Sequence, residues 1–109
     1  MATTYKVLGQ IEPSAASATT AYTVPAATQA VVSTITACNQ GVSSANIRIA
    51  VRPNGDTLED KHYLIYDVAV GPSQTVAFTI GVTADAADVI TVQASTATVS
   101  FNVFGTEIS

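Results

Sequence analysis

The chain has no tryptophan, one cysteine, one histidine and four cations, and each shortage excludes something. With Cys38 alone, no intramolecular disulfide can form, so this is not a disulfide-stapled secreted scaffold. Charged residues are 11% of the chain, against roughly 25% in an average soluble domain. The cations are Lys6, Arg48, Arg52 and Lys61, and the net charge is −4. Nucleic-acid binding draws on a basic stripe that displaces phosphate counterions, and none is present, so nucleic acid is excluded as a partner. No run approaches the ~18 apolar residues of a membrane-spanning helix, and no membrane partner is expected. Met1 to Gln10 lacks a basic segment followed by an apolar run, so no signal peptide is expected and synthesis is assigned to a cytoplasm.

Leucine is also scarce, at Leu8, Leu58 and Leu64 only, while alanine, valine, isoleucine and threonine dominate. β-branched side chains lose rotamer freedom in helices and pack well on a pleated surface. At 109 residues the chain suits one domain, residues 1–109, with one core. Turn residues punctuate it at short intervals, the mark of a sandwich or barrel. The expected fold is all-β, a single antiparallel β-sandwich of about eight short strands, either immunoglobulin-like or a jelly roll. The strands are expected at Thr4–Ile11, Thr19–Val24, Gln29–Cys38, Asn46–Arg52, His62–Val70, Gln74–Ile80, Val89–Ala94 and Val99–Phe104. Ser14 to Thr20 reads as an exposed, mobile connector.

Period-two alternation sets the faces. The inward set is Val31, Ile35, Ile47, Ile49, Val51, Val76, Phe78, Ile80, Ile90, Val92, Val99, Phe101 and Val103. Thr34, Thr36, Thr75, Thr79, Thr91 and Thr98 face outward. Tyr63 and Tyr66, three apart, fall on opposite faces of one strand. Gln29 to Ile35 echoes Gln74 to Ile80 at four of seven positions, read as two strands with the same inward register, in opposite sheets. No window shows the 3.6-residue period with caps at both ends, so no helix longer than about two turns is expected, with short ones at Thr57–Lys61 and Ala84–Ala87.

Chemistry is sparse. Asp56, Glu59, Asp60 and His62 crowd one loop, but their spacing fits neither a calcium loop nor a zinc pattern. Asp56 with Glu59 reads instead as a cap for one helical turn. His62 has no partner motif and reads as an edge or loop histidine. Cys38 has no basic neighbour to activate its thiol. Asp85 and Asp88 flank a turn with no second element to complete a site. The chain is not expected to be an enzyme, and no cofactor or metal is expected. The candidate interface is Asn46, Arg48, Arg52, His62 and Tyr63. Arg48 and Arg52 lie four residues apart on one strand, so both face away from Ile47, Ile49 and Val51. They are expected to serve assembly and not folding, unless they only bridge Asp67 or another outward acid.

Met1-Ala-Thr-Thr-Tyr-Lys-Val-Leu-Gly-Gln10, Ala21-Tyr-Thr-Val-Pro-Ala-Ala27, Ile47-Arg-Ile-Ala-Val-Arg-Pro53, Lys61-His-Tyr63 and Phe101-Asn-Val-Phe-Gly-Thr-Glu-Ile108 together carry a resemblance. The chain resembles small Ala/Thr/Val-rich virion structural proteins of tailed bacteriophages, over most of its length. The resemblance implies a non-enzymatic virion part, made in the host cytoplasm, whose partners are other virion proteins such as the major capsid protein or tail components. It supplies no catalytic residues. A shell decoration or cement role comes first. A tail, baseplate or fibre-attachment module touching host sugars or proteins comes second. A chain so short of charge is also expected to form homo-oligomers or bind a much larger partner.

Overall fold

A computed structural model describes residues 2–109. Nine strands follow one another: β1 (Thr3–Ile11), β2 (Thr19–Thr23), β3 (Gln29–Asn39), β4 (Ala45–Arg52), β5 (Tyr63–Val70), β6 (Thr75–Phe78), β7 (Val82–Ala84), β8 (Val89–Ala94) and β9 (Val99–Ile108). The only helical pieces among the described residues are 3-10 turns at Pro53–Gly55 and Asp60–His62. One sheet runs β1-β9-β3-β6, with β7 also on β3; the other runs β2-β8-β4-β5. All pairs are antiparallel. The pairing is nested, first strand with last, second with second-last, inward to the central β4–β5 hairpin. That is a two-stranded ribbon wound into two facing sheets, a jelly roll, and it decides between the two expected sandwich topologies.

The extra strand arises where one was expected over Gln74–Ile80. β6 stops at Phe78, Gly81 takes a positive φ of 67°, and β7 resumes the pairing with β3. Ile80 therefore falls outside any strand and is 44% exposed, not inward. The echoing segments are not in opposite sheets either. They pair with each other, Ile35 opposite Phe78.

The core between the sheets is made of Ile35, Ile47, Ile49, Ile90, Val92, Val99, Phe101 and Val103, all essentially without solvent exposure, with Val51, Val76 and Phe78 partly buried against it. Val31 is a correction. A register shift between Val32 and Thr34 against β9 inserts Ser33 as an extra residue. Each such insertion reverses the side-chain parity. Ala30 and Val32 thus point inward before the bulge, Ile35 and Ala37 after it, and Val31 is left outside at 38% exposure. Thr91, expected outward, is buried. Ser14 to Ala18 is exposed, but Ala16 N–H donates to the Ala94 carbonyl at 2.7 Å, so the connector is pinned to β8.

Two polar features hold the sandwich together. Asn39, one residue beyond the strand expected at Gln29–Cys38, is fully buried at the end of β3. Its amide donates to the carbonyls of Ser43 (2.9 Å) and Val70 (3.0 Å), and its Oδ1 accepts from Gly41 N–H and the Thr98 hydroxyl, both at 2.9 Å. One side chain thereby ties the ends of β3, β5 and β9. Asn39→Ala should strand several of these groups, each costing about 1–3 kcal/mol. A drop of that size in chemical denaturation is the check; an unchanged midpoint would remove Asn39 from the frame.

At the opposite side, the Tyr22 hydroxyl of β2 donates to Glu107 of β9 at 2.6 Å, and Lys6 pairs with the same carboxylate at 2.9 Å. The Tyr22 hydrogen bond, and then Lys6, hold the Glu107 carboxyl below its usual range. A depressed carboxylate stabilises the fold above its unfolded value, about 4.3, and that contribution fades as pH falls further through the folded value. Glu107→Gln should therefore lower stability at neutral pH, meet the unaltered chain at low pH where Glu107 is protonated, and so flatten the acid side of a stability–pH profile below about pH 5. Gly9 completes this contact. A Cβ there would strike the Ala21 carbonyl oxygen, so β1 can cross this close to β2 only as glycine.

Candidate assembly interface

The charged outer surface belongs to the β2-β8-β4-β5 sheet. β5 carries one extra residue where Ile47 and Ile49 of β4 face Val68 and Ile65, and another where Ile49 and Ala50 face Ile65 and Tyr63. The first bulge sets both Tyr66 and Asp67 opposite Arg48, with Asp67 at φ 55°. Arg48 then grips Asp67 bidentately, Nε–Oδ1 at 2.7 Å and Nη2–Oδ2 at 3.2 Å, and its guanidinium lies 4.1 Å from the Tyr66 ring centre. This hydrogen bonding holds the Asp67 carboxyl below its usual range. The second bulge, at Leu64, also undoes the expected separation of the tyrosines. Tyr63 and Tyr66 share one face, ring centres 5.0 Å apart and edge to face at 81°.

The expected interface set divides accordingly. Asn46, Arg48 and Tyr63 lie on this outer face, and Asn46 is exposed. Arg52 does not stand free. Its Nε donates to the buried Thr91 hydroxyl at 3.0 Å, and its Nη1 donates to the carbonyls of Gly55 (3.3 Å) and Asp56 (2.7 Å). It anchors the Pro53–Gly55 turn, so its part in folding is direct, contrary to the expectation for the arginine pair. Arg52→Ala should cost about 1–3 kcal/mol by leaving Thr91 and two carbonyls without their charged donor. A melting temperature equal to that of the unaltered chain would contradict this.

His62 is a second correction. It is 5% exposed, inside the Asp60–His62 turn, with Nδ1 accepting from Glu59 N–H at 3.0 Å. A buried ring cannot meet a partner. The cap expected from Asp56 and Glu59 is thus made by Glu59 and His62. Asp88 is similarly consumed, accepting from Asn54 N–H and Asp85 N–H, both at 2.8 Å. No group of three metal-ligating side chains gathers among the described residues.

The β1-β9-β3-β6 sheet presents a very different outer face. Register and burial place Thr3, Tyr5, Val7 and Gln10 of β1 on it, and Asn102, Phe104, Thr106 and Ile108 of β9. β3 adds Gln29, Val31, Thr34, Thr36 and Cys38, and β6 and β7 add Thr75, Ala77 and Thr83. None of these residues is charged. Lys6 and Glu107 alternate to the other side, where they pair. Tyr5 is 82% exposed and Val7 47%, and they adjoin Phe104, Thr106 and Val31 across the strands. An apolar row on three adjacent strands, framed by threonine, is therefore open to solvent.

No protein-family model matches the chain, and no curated protein matches it. The face itself must supply the functional argument. Thr34, Thr36 and Thr75 were legible as outward, but Val31 needed the Ser33 bulge to be known. Phe104 carried an available signal: three residues after Phe101 in one strand, it must take the opposite face.

Proposed function

We propose that the chain is a non-enzymatic structural subunit of a bacteriophage particle, a decoration protein that docks on the shell through the outer face of β1, β9 and β3. One observation carries this reading: the outward strand residues of one sheet carry no charge and include Tyr5, Val7, Val31 and Phe104, with Asp85 and Asp88 at the rim beside Val31 and Thr83. Burying such a face incurs no charge desolvation, and the centres of protein interfaces are depleted in charge and enriched in aromatics. The Cα extents of 45 × 27 × 20 Å describe a flat tile whose broad side can supply the ~800 Å² per partner of a specific interface. The resemblance to small virion proteins and the jelly-roll architecture, which recurs in capsid and lectin domains, point the same way; the latter is fold-level analogy. A subunit that prefers the assembled shell stabilises it by mass action, about 2.7 kcal/mol per site at a hundredfold excess over Kd.

The second reading, a tail or baseplate part, is favoured by the aromatic and polar surface around Tyr63 and Tyr66 on the opposite sheet. Quantitative mass spectrometry of purified particles separates the two. Copy numbers in the hundreds agree with decoration, a few to tens with a tail part, and absence from the particle overturns both.

A further inference from the structure

Two shallow depressions on the outer face of the β2-β8-β4-β5 sheet adjoin the Arg48–Asp67–Tyr66 cluster. One, about 440 Å³, is lined by Asp60, Tyr63 and Tyr66. The other, about 230 Å³, is lined by Asn46, Arg48, Asp67, Gln93, Ser95 and Ala16. We propose that this face binds a neutral pyranose oligosaccharide, one ring stacked in the corner between Tyr63 and Tyr66 and the next held by the polar side chains around Arg48 and Asp67.

A pyranose is amphipathic, with an apolar C–H face and a rim of hydroxyls that both donate and accept. The perpendicular tyrosines offer a preformed aromatic corner for the first, and Tyr66 remains 55% exposed although Arg48 covers part of it. The rim meets guanidinium donors on Arg48, carboxylate acceptors on Asp60 and Asp67, and the amides of Asn46 and Gln93, which do both. These groups are held in place before a ligand arrives. Arg48 is fixed by two hydrogen bonds and a ring, and Asp67 by its bulge, which limits the ordering cost of binding.

Charge selects the ligand class. The Arg48 charge is already matched by Asp67, and Asp60 makes no ion pair among the described residues. An anionic sugar or phosphate therefore meets net negative charge. A free cation meets the like charge of the Arg48 guanidinium, which lies 4.1 Å from the Tyr66 ring centre. Two adjoining depressions suit a short chain better than a single sugar. The sandwich sets this face opposite the uncharged one, so both can be occupied together. The inference does not depend on the chain's place in a particle and is tested on the free protein.

The experiment is a ¹⁵N–¹H NMR titration with maltotriose, mannotriose and β-1,4-galactotriose, and with sialyllactose and choline for comparison. The variants are Tyr66→Ala, Gln93→Ala and Tyr5→Ala. The expected result is saturable shifts confined to Tyr63, Tyr66, Arg48 and their neighbours with at least one neutral trisaccharide. Affinity should fall about tenfold in Tyr66→Ala, a loss of about 1.4 kcal/mol. It should weaken in Gln93→Ala, which decides the matter if Tyr66→Ala unfolds, and stay unchanged in Tyr5→Ala. No saturable shift with any neutral sugar, tighter binding of sialyllactose or choline, or equal affinity in Gln93→Ala would overturn the proposal.

Discussion

A chain carrying Val7→Lys together with Val31→Lys is expected to fold and melt like the unaltered protein but to lose its place on the particle. Both valines are exposed, on different strands, so lysine can be solvated in the free chain. Surface changes of this kind usually alter stability by no more than about 0.5 kcal/mol. In the docked state the two ammonium groups would be buried among outward strand residues that carry no charge. Each unpaired buried charge costs on the order of 2–5 kcal/mol, so affinity should fall by roughly a thousandfold or more for the pair. Cosedimentation with particles stripped of this subunit measures the loss. Arg48→Glu, on the opposite sheet, should bind normally in the same assay. Equal occupancy of the double-lysine variant would place the contact elsewhere.

Phe101→Ala is expected to have the largest effect on stability. Phe101 is fully buried in β9, the strand between β1 and β3, so its ring packs where the first and last strands close the wrap. Removing a buried phenylalanine ring typically costs about 3–5 kcal/mol, a large part of the 5–15 kcal/mol that holds a domain together. Phe78→Ala should cost less, because Phe78 on the short β6 is only partly buried. Urea denaturation of the two variants should rank them in that order. If Phe101→Ala unfolds within a few tenths molar of the unaltered chain, the core is not centred on β9.

Strand content, position and most inward residues were readable because β-branched alternation between turn residues is a local signal. Ile47, Ile49, Phe101 and Val103 needed nothing else. Apart from the local break at Gly81 that leaves Ile80 outside a strand, the departures come from non-local geometry. The Ser33 bulge turns Val31 outward, and the Leu64 bulge in β5 brings Tyr63 and Tyr66 to one face; neither leaves a mark in the sequence. Jelly-roll order depends on which strand lies beside which, and alternation does not encode it. Asn39 and His62 look like ordinary turn residues, and only the packing of distant segments buries them. The arginines stand out because cations are few. Yet their scarcity singles out residues already engaged with Asp67, Thr91 and a turn, while the uncharged face emerges only when strands distant in sequence lie side by side.

The central claim is that the uncharged face of β1, β9 and β3 is the docking surface. A particle reconstruction that resolves individual strands tests it most directly. The account predicts density for this jelly roll lying flat, with Tyr5, Val7, Val31 and Phe104 against the shell and Tyr63 and Tyr66 turned away from it. A subunit seated on the particle through Arg48 and Tyr66, with the β1-β9-β3 face open to solvent, would contradict it.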